Sequence, residues 1–180
     1  MRNKLIPLYR EQEHYTLFYN QHTNQIYKFQ HRNKSFAVFF LALLSITWAS
    51  KLLDNMYQTY QNILLNAIVF IIAIVITYYV SIQFYHAYYL EDTKREIVLD
   101  QYKLREYADK GLKQLRIELY SSIVSLPVSI LFFIIFFVTN KIQPLFIGCI
   151  FLGVIFILLF MKPLSRKQML VKFKAGDRMF

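Results

Sequence analysis

The stretch ILLNAIVFIIAIVITYYVSIQF, residues 63–84, decides the class of fold, because it is long, apolar and free of charge. No Asp, Glu, Lys or Arg occurs between Asn55 and Leu90. About 20 consecutive, mostly apolar residues are enough for a helix to cross the hydrocarbon core of a bilayer. The stretch therefore predicts a transmembrane helix, which we place at residues 63–86.

Three further runs of the same kind accompany it, over residues 35–53, 119–140 and 142–161. The first is the shortest, with 16 uncharged residues between Lys34 and Lys51. It reaches spanning length if Lys51 lies on the helix and extends its amine to the membrane surface. The overall content of 56% hydrophobic residues also favours a membrane protein over a soluble domain. The sequence predicts an all-α integral membrane protein with four transmembrane helices, in a membrane domain over residues 35–161.

Lys and Arg are distributed unevenly between the segments outside the four runs. Residues 1–34 hold six, residues 91–118 hold seven and residues 162–180 hold six, whereas the other two connections hold one each, Lys51 and Lys141. Short basic loops stay on the cytoplasmic side of a membrane. The distribution therefore predicts a multi-pass plasma-membrane protein with both termini in the cytoplasm.

The N-terminal segment, residues 1–34, contains the pattern of a small cytoplasmic β-hairpin. The arms YTLFY and IYKF, residues 15–19 and 26–29, are rich in β-branched and aromatic residues and flank a polar turn. A two-stranded hairpin is marginally stable in water on its own. We therefore expect it to pack against another part of the chain or against a partner.

The loop over residues 91–118 has the pattern of an amphipathic helix. Its apolar residues recur at helical spacing: Ile97, Leu104, Ala108, Leu112, Leu115 and Leu119. On the other face, Glu106 with Lys110 and Asp109 with Lys113 are opposite charges four residues apart. We predict a cytoplasmic helical extension between spans two and three, broken at Gly111, whose apolar stripe is covered by its own second half, by the hairpin or by a partner.

The tail, residues 162–180, has six basic residues and one acidic residue. Pro163 predicts that the fourth span ends or bends there. A basic tail beside a bilayer predicts contact with anionic lipid headgroups. No nucleic-acid-binding motif accompanies these residues, so we expect no nucleic acid as a partner.

The sequence contains no motif for catalysis or for cofactor binding. Its four glycines form no phosphate-binding loop, and neither Gly-x-Ser-x-Gly nor His-Glu-x-x-His occurs. The single cysteine, Cys149, excludes a disulfide within the chain and a zinc site built on cysteines. We expect no catalytic residues, no cofactor and no metal, and a protein that is not an enzyme.

One group of side chains resembles a site. Tyr85, His86 and Tyr89 lie where the second span should leave the cytoplasmic leaflet, and they form a candidate polar site at the inner interface, with His86 as a pH-sensitive or ligand-contacting group. Aromatic residues are enriched at this level in membrane proteins generally. A simple interfacial belt is therefore the alternative interpretation.

These patterns favour an interaction protein that binds another membrane protein, as a toxin or bacteriocin immunity protein or as an accessory subunit of an export complex. The usage of Lys, Asn, Ile, Phe and Tyr resembles that of small membrane proteins of low-GC Gram-positive bacteria. The alternative is a homo-oligomeric channel or transporter component, although no charged residue lies near the middle of a span, as carriers usually require. The expected partner-binding residues are Leu17, Tyr19, Ile26, Tyr27, Phe29, Leu104 and Leu112.

Overall fold

The computed structural model describes residues 5–11, 14–30, 53–54, 57, 59, 62–88 and 95–176. Its elements, in chain order, are strands β1 (Leu5–Glu11), β2 (Tyr15–Asn20) and β3 (Gln25–Gln30), helix α1 (Ile63–Tyr88), strand β4 (Arg95–Ile97), and helices α2 (Gln101–Thr139), α3 (Ile142–Phe160) and α4 (Pro163–Ala175). The first predicted span, residues 35–53, lies outside the described residues except for Leu53.

The chain forms two compact units. The first, here called the sheet unit, consists of Met1–Asn33, Phe84–Ser121 and Leu158–Phe180. The second, here called the helix unit, consists of Lys34–Gln83 and Ser122–Ile157. The N-terminal segment, the middle loop and the tail, which the sequence analysis treats separately, therefore belong to one unit.

The sheet unit contains a four-stranded antiparallel sheet in the order β1-β2-β3-β4. The predicted hairpin is confirmed as β2 and β3, with Tyr19 opposite Ile26 and Leu17 opposite Lys28. Its turn contains Asn24, which has a φ of 54° and accepts a hydrogen bond of 2.7 Å from the Tyr19 hydroxyl. Asparagine adopts this left-handed backbone more readily than most residues, so the turn chemistry supports the hairpin.

Two edge strands enlarge the hairpin, and the sequence pattern predicted neither. In β1, Pro7 and a register shift between Pro7 and Tyr9 disrupt the alternation of side chains that marks a strand. Strand β4 has three residues and pairs with β3, with Ile97 opposite Ile26. The prediction that Ile97 continues the helical stripe is therefore wrong, because its backbone is used in the sheet.

One face of the sheet packs against α2 and α4 and forms the main core of the sheet unit. The buried members of this core are Ile6, Leu8, Leu17, Tyr19, Ala108, Leu115, Met169, Leu170 and Phe173. Alternate residues of β2 point towards the helices, and α2 contributes residues at helical spacing. The hairpin is thus supported by the middle segment, as one of the predicted arrangements requires, and also by the tail.

Helix α2 runs without interruption from Gln101 to Thr139, so the predicted break at Gly111 is wrong. Gly111 instead lies under β1. A Cβ atom built at Gly111 would be 2.5 Å from the carbonyl oxygen of Leu8, closer than any side chain tolerates. The glycine is required by this close approach of the strand to the helix.

Among the described residues, three helices are long and apolar enough to cross a membrane: α1 from Ile63 to His86, α2 and α3. They indicate a multi-pass membrane protein. Many of their large apolar side chains are exposed, among them Ile71, Ile76 and Ile134. Such surfaces are suited to lipid, because hydrocarbon chains are as apolar as the side chains themselves.

Small and hydroxyl-bearing residues form close contacts inside the helix unit, alongside aromatic pairs such as Phe70 with Phe133. Ser129 on α2 is buried and donates a hydrogen bond of 2.9 Å to the carbonyl oxygen of Gly148 on α3. A Cβ atom built at Gly153 on α3 would be 3.4 Å from Oγ of Ser81 on α1. Small residues let membrane helices approach each other closely, and Ser81 and Ser129 take part in this packing.

Candidate functional site

Arg166 in α4 is the most deeply buried charged residue among those the structure describes, at 1% exposure. Its guanidinium forms an ion pair of 2.6 Å with Glu118 on α2. It also lies 3.5 Å from the carbonyl oxygen of Leu8 and 3.4 Å from Oε1 of Gln114, to which it donates hydrogen bonds. A buried charge needs such partners, because its removal from water is costly. Arg166 therefore joins β1, α2 and α4.

Gln114 continues this contact along the outer edge of β1. Its Oε1 accepts a hydrogen bond of 3.0 Å from the backbone N–H of Arg10, and its Nε2 donates one of 3.3 Å to the Arg10 carbonyl. The amide thus pairs with β1 as a neighbouring strand would. We call Arg166, Glu118 and Gln114 the arginine cluster. It bonds to the outer edge of β1 at Leu8 and Arg10, which hinders pairing of that edge with another chain.

The sequence places Arg166 through its position in α4. Pro163 starts the helix after Lys162, which has a φ of 51°. Proline suits the first helical position, because the backbone N–H that it lacks would be unsatisfied there. Arg166 then shares a buried face with Met169, Leu170 and Phe173. The prediction that the fourth span stops near Pro163 is confirmed, since α3 ends at Phe160.

Sequence reasoning missed the arginine cluster because it counted Arg166 only as one of six basic residues in the tail. A signal was available. Arg166, Met169, Leu170 and Phe173 are three, four and seven residues apart, which is the spacing of one helix face. A basic residue on an apolar helix face indicates a buried cation with a partner. Glu118 is an acidic residue that could serve as this partner, because it lies three residues after Leu115 and therefore on the same face of α2.

The structure places the seven predicted partner-binding residues within the packing of the chain itself. Five of them form or border the main core: Leu17, Tyr19, Ile26, Leu104 and Leu112. Tyr27 and Phe29 belong to a smaller cluster with Phe18, in which the rings of Phe18 and Phe29 are 5.0 Å apart. A role of these seven residues in binding a partner stays a prediction.

Two of the three residues of the predicted polar site are described. Tyr85 and His86 lie in the last turns of α1 with ring centroids 5.7 Å apart, and Tyr85 is 6.3 Å from the ring of Phe160. Tyr89 lies outside the described residues. The contacts of this pair are those of an aromatic belt, and a ligand-binding role for His86 stays a prediction.

Three tyrosines meet where the sheet faces α2. The rings of Tyr9 and Tyr107 stack at 5.4 Å, and the hydroxyls of Tyr15 and Tyr107 are 3.4 Å apart. The Lys28 ammonium lies 3.8 Å from the centre of the Tyr15 ring, in cation–π geometry. Burial, and then the hydrogen bond with Tyr107, raises the pKa of Tyr15 above its ordinary value of 10.0. The Tyr15 phenol is therefore protonated at neutral pH and acts in packing, not as a base.

A second polar cluster lies in the helix unit, where α2 ends and α3 begins. Asn66 on α1 is buried, donates a hydrogen bond to the side chain of Asn140 and accepts one from the Tyr57 hydroxyl. Asp54 accepts a hydrogen bond from the backbone N–H of Ile142, the first residue of α3. The helix dipole favours a carboxylate at that position. Because Tyr57, Asn66 and Asn140 bond to one another and Asp54 bonds to the helix end, the cluster closes the turn between α2 and α3.

Neither cluster has the composition of a metal site. Among the described residues, no group of three or more His, Cys, Asp or Glu side chains is placed to hold a metal ion. Comparison with protein-family models, with curated proteins and with solved structures finds no match for the chain. The case for a function therefore rests on the residues and their geometry.

Proposed function

We propose that the chain is a non-enzymatic, multi-pass plasma-membrane protein whose sheet unit binds another membrane protein. Its role is immunity to a membrane-active toxin or bacteriocin, or that of an accessory subunit in an export complex. The observation that carries the proposal is the exposure of Val98 and Tyr102, at 94% and 76%. Both lie before the uncharged run of α2, which begins at Leu119, so lipid does not account for their exposure.

The two edge strands of the sheet, β1 and β4, differ in exposure, and this difference supports contact with a partner at β4. The arginine cluster covers β1, whereas Arg95 and Glu96 of β4 are exposed. Val98 follows β4 directly, and Tyr102 lies in the first turn of α2. Neighbouring exposed apolar residues mark protein interaction sites more often than isolated ones do. The surface formed by β4, Val98 and Tyr102, here called the β4 surface, is therefore the proposed contact.

The proposal includes four spans with both termini in the cytoplasm. The nineteen basic residues on one predicted side, against two on the other, support this orientation. Single cysteines at His22 and Lys141, in a Cys149→Ala background, test it in intact cells. A membrane-impermeant maleimide should label position 141 and leave position 22 unlabelled until the cells are opened. The reverse pattern overturns the orientation.

The partner is tested with a photo-crosslinking amino acid at position 98 or 102 of the full chain in its native membrane. The expected result is one product of fixed mass that contains a different membrane protein, which also co-purifies with the tagged chain at a constant mass ratio in mild detergent. The matched control is the same amino acid at His22, which is exposed in the turn between β2 and β3.

Two outcomes contradict the proposal. A product that contains only this chain, together with a pure homo-oligomer, replaces it with the alternative of a self-assembled channel or transporter component, and ion flux through reconstituted vesicles becomes the next measurement. Equal products at positions 22, 98 and 102 show that the β4 surface has no special role.

A further inference from the structure

The outward side of α2 changes from charged to apolar between Arg116 and Tyr120. Arg116 is exposed, and Tyr120 is 63% exposed. Tyr120 follows Arg116 by four residues, and Ile123, at 64% exposure, follows it by seven, so the three lie on one side of the helix. This side differs from the one that α2 packs into the core of the sheet unit. It therefore leads from an exposed cation directly onto an exposed apolar surface.

The length of the uncharged run places Tyr120 at the boundary of the hydrocarbon. Residues 120–139 of α2 extend about 30 Å at 1.5 Å per residue, which matches the thickness of the hydrocarbon core of a bilayer. Arg116 precedes Tyr120 by four residues and thus lies about 6 Å further out along the helix. The headgroup layer adds roughly 5–7 Å on each side of the hydrocarbon. Arg116 is therefore at the level of the lipid phosphates.

The acidic residues of α2 nearest to Arg116 are paired with other cations. Glu118 forms its ion pair of 2.6 Å with Arg166, and Asp109, which lies on the same side of α2 as Arg116, forms one of 2.7 Å with Lys174. Arg116 forms no ion pair with a described residue. Residues 91–118 have seven acidic and seven basic residues, so the uncompensated charge of Arg116 becomes visible only when the pairs are known.

Helix α4 leads its later lysines away from this level. Its first turn is held at Glu118 by Arg166, and its end is held at the start of α2, where Nε2 of Gln101 donates a hydrogen bond of 3.2 Å to the carbonyl oxygen of Gly176. Helix α4 therefore runs antiparallel along the charged half of α2, away from the uncharged run. Contact of the basic tail with lipid stays a prediction, and α2 itself supplies an exposed cation at the headgroup level.

We infer that Arg116 and Tyr120 form a binding site for an anionic phospholipid. The guanidinium of Arg116 donates hydrogen bonds to the headgroup phosphate, whose geometry it matches with two N–H groups at once. The Tyr120 ring lies beside the upper part of an acyl chain, with its hydroxyl towards the headgroup. The inference goes beyond the proposed function, because it requires that α2 cross a bilayer but requires neither the protein partner nor a particular orientation.

The depth of the site is measured on the full chain in nanodiscs, with a nitroxide label at position 120 in a Cys149→Ala background. The label should be more accessible to oxygen, which concentrates in lipid, than to a water-soluble nickel complex. A label at Lys103, exposed in the first turn of α2, should show the opposite preference. Greater accessibility to nickel at position 120 overturns the inference.

Lipid preference is measured by native mass spectrometry of the detergent-purified chain with added phosphatidylglycerol or phosphatidylcholine. Arg116→Gln should lower the preference for phosphatidylglycerol about fivefold at low ionic strength, whereas Arg116→Lys, which retains the charge, should keep most of it. The control Lys103→Gln removes the same charge about 20 Å away on the same helix and should keep the preference.

Two results overturn the inference: no loss in Arg116→Gln, or equal losses in Arg116→Gln and Lys103→Gln. Both measurements use the chain without its protein partner and do not depend on which side of the membrane the site occupies. A failure of the proposed partner contact or of the proposed orientation would therefore appear separately.

Discussion

The sheet unit and the helix unit both bury polar groups, but they do so with different chemistry. The sheet unit buries a full charge, Arg166, against the Glu118 carboxylate and the backbone of β1. Within the described part of the helix unit, the groups buried along the helices are hydroxyls and amides, such as those of Ser129 and Asn66. Its buried carboxylate, Asp54, lies at the N-terminus of α3.

The difference follows from what surrounds each unit. A charge among apolar helices in lipid is costly, whereas a hydroxyl can bond to a nearby helix carbonyl, as Ser129 does to Gly148. The sheet unit can hold a guanidinium because the Glu118 carboxylate and the Leu8 carbonyl oxygen at the edge of β1 lie beside it. The two interiors therefore tolerate different substitutions, and this contrast can be tested.

The largest expected effect is unfolding of the sheet unit while the helix unit stays folded. Leu17→Asp places an unpaired carboxylate in the buried core of the sheet unit, which should cost more than about 4 kcal/mol and unfold that unit. Limited proteolysis should cleave the sheet unit rapidly, while the protein still resists extraction from the membrane by alkaline carbonate. Thr23→Asp, in the exposed turn, is the control. If Leu17→Asp keeps the protease resistance of the unchanged protein, the buried core described here is wrong.

A smaller change tests the charged interior itself. Arg166→Met leaves Glu118 without its partner and should lower the free energy of unfolding of the sheet unit by about 3 kcal/mol. The double variant Arg166→Met/Glu118→Gln should recover much of this loss, because no uncompensated charge remains. Pulse proteolysis in urea measures both. Lys174→Met, which breaks an exposed pair, should have little effect, and strictly additive losses in the double variant would argue against coupling.

Two glycines sharpen the comparison of packing. At Gly111 an added methyl would meet the backbone of β1 at 2.5 Å, whereas at Gly153 the nearest atom would be 3.4 Å away. Gly111→Ala should therefore destabilise the sheet unit by about 1–3 kcal/mol, although alanine favours a helix more than glycine does. Gly153→Ala should change stability by less than about 0.5 kcal/mol. The same urea titrations measure both variants, and a neutral Gly111→Ala would contradict the close contact of β1 with α2.

The smallest expected effect is a dependence on alkaline pH confined to the sheet unit. The pKa of Tyr15 is raised by burial and by its contact with Tyr107, so the unfolded chain loses this proton first as pH rises. The contribution of Tyr15 to stability is complete below pH 10.0, the ordinary pKa, and declines as pH increases towards the raised pKa of the folded state. Tyr15→Phe should reduce this decline between neutral and alkaline urea titrations. Tyr102→Phe, at an exposed tyrosine, should leave it unchanged.

The sequence best predicts the structural features that depend on a single segment of the chain. The apolar runs of α1, α2 and α3 predict membrane helices by their length, and the turn ending at Asn24 predicts the hairpin by its local chemistry. Strand β4 depends on β3, which lies far away in the sequence, and three residues carry too little pattern to show it. The break predicted at Gly111 failed for the same reason, because the contact that requires glycine comes from Leu8 in a distant strand.

The candidate site shows the limit of counting charges. A count of the basic residues in the tail treats Arg166, Lys167 and Lys172 alike. It does not distinguish the arginine that is buried against Glu118 from the lysines that are exposed. The partner-binding role predicted for residues such as Leu17 stays a prediction, because aromatic and aliphatic residues suit a core as well as an interface. Distinguishing the two requires knowledge of what packs against the hairpin.

The sheet unit is built from three segments separated by apolar helices, so a ribosome delivers its parts at different times. Roughly 135 residues separate Gln30 from Arg166, which takes about 7–27 s at typical rates of synthesis. Until then, the hairpin lacks α4, which completes the core around Leu17. A chain whose helices insert wrongly cannot bring β4 to β3 or Arg166 to Glu118. The sheet unit can therefore close only after the last of its three segments has been made.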